Sequence, residues 1–268
     1  IKAIGSGPYA IKNIKAKSGI PTTFELGAHK YYTLGRPYIE NLTIETYQNE
    51  KFLIQAFENR DISRIHGVSA EKLATLQIAT SSIKTTLLPR TFTVFFNPNK
   101  SNALSEKEIR SALQMAINKQ AIVEKVLKKY GKVINAPYPF DNEDIKNIYN
   151  LDEAKAMLLK SKTFKKASTT LELTLATANT EEMRQVAEMI KSDWEALGVK
   201  TILSVYEVSD LNQSVIKDRD FEVLLFGSIT QNPSDLYAFW HSSQRNYPGL
   251  NISNYVSKEL DANLETLR

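Results

Sequence analysis

The 268-residue chain contains no cysteine, which removes disulfides, thiolate metal sites and cysteine nucleophiles. It has only three histidines, His29, His66 and His241, far apart and in no H-x-x-x-H or H-E-x-x-H arrangement, so a histidine-based metal centre has no frame. There is no window of the roughly 18 apolar residues that a membrane-spanning helix needs. The amino end, IKAIGSGPYA, has neither the charged nor the apolar region of a secretion signal, and a chain that starts without Met reads as a processed or excised piece. Gly5-Ser6-Gly7 lacks the Gly-Lys-Ser/Thr that completes a phosphate loop, and no G-x-S-x-G elbow occurs. Glu143-Asp144 and Glu181-Glu182 fall where helix starts use acidic residues. Catalysis is left without a foothold, and no cofactor or metal is expected.

What is present is ordinary for a globular protein: 42% hydrophobic and 24% charged residues, with 34 basic against 30 acidic, an excess too small to suggest nucleic acid. The densest basic run, Lys160 to Lys166, reads as a solvated loop.

Along the first ninety residues the pattern is β-rich. Tyr9–Lys12 and Thr23–Leu26 alternate around a Ser18-Gly19-Ile20-Pro21 turn, Leu42–Tyr47 alternates as a half-buried strand, and Glu50–Asn59 has helical spacing in Phe52, Leu53, Ala56 and Phe57. Thr91–Phe96 is β-branched and aromatic throughout, which predicts a strand buried on both faces, and the turn-rich Asn97–Asn102 that follows marks a domain crossing. Beyond it, Ser105 and Glu108 form a capping box before the stripe Ile109, Ala112, Leu113, Ala116, Ile117. A short helix from Gln120 to Lys129 should stop at Gly131, and Asp152 should cap the next. Leu171, Leu173 and Leu175 alternate as a strand. Thr180 caps a long helix with stripe Met183, Val186, Ala187, Ile190, Trp194 and Leu197, ended by Gly198. Strands at Lys200–Tyr206 and Glu222–Phe226 complete an α/β alternation with helices covering the sheet.

The stretch after Glu222–Phe226 carries the candidate site. A strand running out through Gly227 into Ser228, Ile229, Thr230 and Gln231 offers free backbone groups at a sheet end, where α/β proteins bind ligands. Tyr237, Phe239 and Trp240 add apolar area with polar handles; Trp240 either faces the ligand or packs a loop–helix junction.

In order along the chain, several segments resemble the extracellular solute-binding proteins of peptide, dipeptide and nickel importers, solute-binding family 5. Ile4-Gly5-Ser6-Gly7-Pro8-Tyr9 resembles the family's G-T/S-G-P-Y, and His29-Lys30-Tyr31-Tyr32 with Arg36-Pro37-Tyr38-Ile39 its N-x-x-Y-W…G-K-P pattern. Phe96-Asn97 with Leu104 to Val123 is similar to its F-N…P-L-x-D-x-R-V-R-Q-A-L-x-x-A-I-D-R-x-x-I-V segment, and Phe221 to Asp261 resembles its late lobe. The resemblance implies an α/β, periplasmic-binding-protein-like (type II) two-lobed fold closing by hinge motion, present as a fragment lacking both chain ends. Residues 1–96 would belong to lobe I and 97–268 to lobe II. It also implies an extracytoplasmic, monomeric protein, lipid-anchored through a segment absent here, that passes peptides or a related small solute to ABC transporter permease subunits. Ligand contacts would come from Thr91, Phe92 and Val94 on one side of a cleft and from Gly227, Ser228, Ile229, Thr230, Gln231 and Trp240 on the other, with Gly227–Gln231 pairing to the ligand backbone as an added strand. With lobe I incomplete, the chain alone should bind weakly. Peptide binders of the family place an Asp shortly after this glycine to hold the ligand's ammonium; here Thr230, Gln231 and Asn232 are uncharged, and Asp235 is a distant substitute. Asn118 stands where the family has Asp, a structural exchange. The alternative is a scaffold or regulatory descendant that has lost its ligand.

Overall fold

A computed structural model describes residues 5–76, 83–86, 88, 90–136, 149–166, 170–229 and 236–267. Contacts divide the chain into two compact units, residues 1–73 and 74–268.

The first unit is a three-stranded antiparallel sheet, β1 (Tyr9–Lys17), β2 (Ile20–Ala28) and β3 (Asn41–Glu45), in that order, followed by α1 (Glu50–Glu58). Ser18 and Gly19 both take positive φ, 52° and 79°, giving the two-residue turn whose twist suits a hairpin. Pro21 therefore lies inside β2, opposite Ala16, where a register irregularity removes the demand for a ladder donor. Asn49 caps α1 by accepting from Phe52 N at 3.1 Å, and the Glu50 carboxylate accepts from Ser69 N and Oγ at 2.6 and 2.9 Å, fixing the approach to α2 (Ala70–Thr75).

The second unit is a mixed sheet of β4 (Arg90–Phe96), β5 (Glu172–Ala178), β6 (Lys200–Tyr206) and β7 (Val223–Ile229), ordered β4-β7-β5-β6. β5 runs parallel to both β6 and β7, and β4 is antiparallel to β7. Between them come α3 (Lys107–Ala116), α4 (Lys119–Lys125), α5 (Leu151–Leu158), α6 (Lys162–Lys166), α7 (Glu181–Leu197) and α8 (Val208–Asp210), the last running on as a π-helical turn through Leu211–Ile216; α9 (Leu236–Trp240) and α10 (Lys258–Thr266) follow. The stripe expected on α7 is buried throughout, Gly198 closes the helix at φ 95°, and Thr180 caps it. Trp194 is fully buried; its indole N–H donates to Leu113 O at 3.0 Å, one of the last four carbonyls of α3, and its ring stacks on Phe96 at 6.3 Å. No helix among the described residues is long and apolar enough to cross a membrane.

Several expectations need correction. β4 belongs to the sheet of the second unit through its ladder with β7, so a division after Phe96 cuts a strand from its partner. It lies at the end of the strand order with only Thr91 and Phe95 buried, whereas β7 takes the interior place with Val223, Leu224 and Leu225 at 0–1% exposure. β7 also does not stop at Gly227: pairing with β4 carries it to Ile229. Ser105 does not cap α3; its hydroxyl donates to Asn102 O at 2.6 Å within a 3₁₀ turn, and Glu106 takes the cap position. Asn150, not Asp152, caps α5, accepting from Glu153 N at 3.0 Å. The helix after Lys119 ends before Gly131 because Lys128 and Lys129 take positive φ.

Part of the basic run is a helix rather than a loop. α6 begins where Ser161 Oγ accepts from Phe164 N at 3.0 Å, and the Glu106 carboxylate accepts from Lys162 N and Thr163 N, both at 2.9 Å, and from the Thr163 hydroxyl. An acidic group on a helix's first amides satisfies orphan donors and meets the positive end of its dipole. The Thr163 hydroxyl bond leads in holding the Glu106 carboxyl at about 2, down from 4.5. A depressed carboxyl pKa stabilises the fold fully above the unfolded value, and that contribution fades as pH falls from about 4.5 toward 2. Glu106→Gln should therefore lower the melting temperature at pH 7, and the gap to wild type should close on acidification to pH 2–3. A gap independent of pH would refute this linkage.

Candidate functional site

β5, β6 and β7 run parallel, so their carboxyl ends open on one edge of the sheet, and the antiparallel β4 begins there. In an open α/β sheet this edge is the usual ligand crevice. The register brings the two expected stretches together: Arg90 faces Ile229, Thr91 faces Ser228, Phe92 faces Gly227 and Val94 faces Leu225. Thr91, 4% exposed, lies with Oγ1 3.1 Å from Ser228 Oγ. The two stretches are thus neighbours in one ladder and not opposite walls of a cleft. A strand's hydrogen-bonding neighbour lies about 5 Å away, so their backbones leave no room for a ligand between them.

The placements divide the expected residues. Phe92 and Val94 are half-buried and pack against the hydrophobic core of this unit. Gly227 is closely packed: a Cβ there would lie 3.3 Å from Met183 Cε and 3.5 Å from the Phe92 ring. Ser228 is half-buried and Ile229 exposed, so the rim opens to solvent as β7 ends. Trp240 packs half-buried against the core and its carbonyl accepts from Asn251 Nδ2 at 3.2 Å, the junction-packing arrangement. Thr230 and Gln231, with Asn232 and Asp235, lie outside the described residues.

Sequence reasoning missed the charged neighbours of this rim. Arg90 stands 4.6 Å over the Phe92 ring and 3.4 Å from Glu182 in the first turn of α7. Beside them, after β5, Asn179 donates to Glu207 Oε1 at 2.5 Å and accepts from Arg184 at 3.1 Å. The signal for Arg90 was its place one residue before a strand already singled out.

The unpaired edge matters most chemically. β5 pairs with β7 from Leu175 opposite Val223 as far as Thr177 opposite Leu225, where Thr177 Oγ1 donates to Leu225 O at 3.1 Å. From Phe226 to Ile229, β7 has ladder partners only on its β4 side among the described residues. Of the remaining histidines, His241 is buried, stacks on Tyr237 at 4.3 Å and accepts from Ser243 N at 3.2 Å, a structural placement. Asn118 is structural too: Oδ1 accepts from Ala121 N at 3.0 Å to cap α4, and its N–H donates to Asp193 at 2.9 Å. Among the described residues no group of His, Asp and Glu could hold a metal ion.

A sheet whose parallel strands end together on one edge is a frame on which a ligand crevice is commonly built. The family model for bacterial extracellular solute-binding proteins, family 5 Middle, matches residues 1–248, and the chain belongs to this family. It is 28% identical to the oligopeptide-binding protein AppA of Bacillus subtilis over 287 residues, covering 97% of this chain and 50% of AppA. To the nickel-binding protein NikA of Staphylococcus aureus it is 22% identical over 96% of this chain and 52% of NikA. Among solved structures, the ABC transporter substrate-binding protein CtaP of Listeria monocytogenes superposes with a TM-score of 0.81 at 21% identity, over 99% of this chain and 54% of CtaP. AppA of Bacillus subtilis in complex with a nonapeptide gives 0.68 at 25% identity, over 98% and 54%. The chain spans about half the length of these relatives, consistent with a fragment of the two-lobed fold.

Gly227→Val tests how tightly the rim is held. Its extra methyls must displace Met183 and Phe92, so a loss of roughly 1–3 kcal/mol is expected in denaturant unfolding. A variant as stable as wild type would show that the rim repacks freely.

Proposed function

We propose that this chain supplies one wall of the solute cleft in an extracytoplasmic binding protein that delivers its ligand to ABC transporter permease subunits. The ligand is a peptide or a related small solute, bound in extended form along β7. One observation carries the reading: among the described residues Phe226–Ile229 has a ladder partner only on its β4 side and presents its other edge unpaired, at the carboxyl end of a parallel array. Names among the relatives, oligopeptide-binding for AppA and nickel-binding for NikA, support binding as the function and span more than one solute.

In this reading Gly227, Ser228 and Ile229, continuing into Thr230 and Gln231, offer backbone groups. Thr91 fixes Ser228, and Phe92 and Val94 buttress the strand from the core side. Arg90 and Glu182 place one charge of each sign near the end of the rim, 42% and 37% exposed at their side chains, where one terminus of a ligand would lie. Trp240 serves the junction beneath.

Backbone pairing makes a distinctive prediction for the full-length protein. A pool of short peptides should raise its melting temperature, and N-methylation of a bound peptide at a pairing position should weaken it roughly 3- to 10-fold per hydrogen bond removed. Ser228→Ala, which leaves the backbone intact, should change affinity less than about 3-fold. No ligand-linked shift with any peptide would sink the peptide reading and favour a ligand-free descendant of the fold.

A further inference from the structure

At the end of the sheet opposite the rim, the turn after β4 and the turn before β7, with residues 245–247 and 254, line an open cavity of about 320 Å³. Its lining includes four cations, Lys100, Lys217, Arg219 and Arg245, against one acid, Asp218. Lys100 is paired with Asp220 at 2.8 Å, so three cations face one acid and leave an excess of two positive charges.

Arg219 is the centre of this cluster. Its backbone is held at φ 55°, a region side-chain-bearing residues rarely adopt, with its carbonyl accepting from the fully buried Asn97 Nδ2 at 2.9 Å. Its guanidinium donates to Ile216 O and, at 2.8 Å, to Gly249 O, while Nε is buried with no acceptor. Burial pushes its pKa down, and no neighbouring carboxylate opposes that shift. Carbonyls satisfy hydrogens without neutralising a charge, and a half-buried cation lacking a counter-ion is an unbalanced arrangement. Lys217 Nζ stands 5.5 Å over the Tyr247 ring, and Arg245 Nε donates to Ser242 O at 3.0 Å. Asp261, outside the lining and accepting from Ser242 N and Oγ at 2.9 and 2.6 Å, feels the Arg245 charge and offsets part of it, whereas Lys217 and Arg219 have no such carboxylate among their described contacts.

We propose that this cavity is a second binding site, distinct from the solute rim, for a phosphate group: its negative charge meets a lining with an excess of cations, and guanidinium and ammonium groups are its usual partners. The group belongs either to a free phosphate compound or to a phospholipid headgroup. This site stands independently of the rim, since none of its residues lies at that end of the sheet.

Two arms test it on the full-length protein. At matched ionic strength, replacing sodium chloride with millimolar inorganic phosphate should raise the melting temperature by about 2–4 °C. It should also move the Arg219 Nε–Hε cross-peak in a proton–nitrogen spectrum. Lys217→Gln and Arg245→Gln, which spare the Arg219 staple, should each weaken phosphate binding about tenfold. In the second arm the protein is sedimented with phosphatidylglycerol or phosphatidylcholine vesicles. Pelleting with the former alone, reduced in both variants, assigns a headgroup; phosphate stabilisation without pelleting assigns a free phosphate compound. Equal melting in phosphate and chloride with no pelleting overturns the proposal, as do effects that persist undiminished in both variants.

Discussion

The second unit depends on the burial of β7 between β4 and β5. Val223, Leu224 and Leu225 are buried on consecutive positions and therefore on both faces of the sheet, each contributing roughly 1.5–3 kcal/mol of transfer free energy. Against a typical net stability of about 5–15 kcal/mol, that run leaves little latitude in register. The polar groups beside it confirm one alignment: Asn97 N donates to Glu222 O at 2.8 Å, and Glu222 Oε2 accepts from Thr174 N at 2.8 Å, pinning the start of β7 to the end of β4 and to β5. Once this register is set, Thr91 must meet Ser228 and Gly227 must meet Phe92, so the rim's geometry is inherited from the core.

Buried asparagines organise the turns around this core. Asn97 spends its amide on the Arg219 carbonyl and its oxygen on Asn99 N at 3.1 Å, locking two turns that are 122 residues apart. Asn251, fully buried, donates to the carbonyls of Trp240, His241 and Tyr255 and accepts from the Ser253 hydroxyl at 2.8 Å. A buried amide left unsatisfied costs about 1–3 kcal/mol, so such positions hold loops more rigidly than apolar contact alone would. Asn118 does the same on a smaller scale at α4. The segments through which the chain resembles its family contain all three, and their work is architectural.

How much of this was legible in the sequence follows from the range of each interaction. The α7 helix was readable from Thr180 to Gly198 because cap, stripe and stop are local, and the hairpin turn was readable from Ser18-Gly19 for the same reason. The basic run misled because half of what starts α6 is the Glu106 carboxylate from 56 residues away, although Ser161 gave a local sign. Thr91–Phe96 was readable as a strand but not as an end strand, since composition does not say which of two apolar strands lies inside. The candidate site was read as two stretches on opposite walls, whereas they are neighbours in one ladder: antiparallel pairing between residues about 137 apart leaves no local trace.

With the rim as the proposed solute wall, it follows that the fold was easier to read than the solute. A strand edge binds through amides and carbonyls that every residue carries, so affinity for an extended ligand can persist while side chains change. Selection among ligands must then come from side chains at the ends of that edge. Here the described ones are Arg90 and Glu182, which neutralise one another at 3.4 Å and stand well exposed, where an ion pair is worth about 0–1 kcal/mol. So weak a pair is easily exchanged for contact with one charged end of a ligand: in the proposed reading Glu182 would meet an ammonium or Arg90 a carboxylate, and an extended peptide, whose ends lie about 3.3 Å per residue apart, would present only one of its termini here.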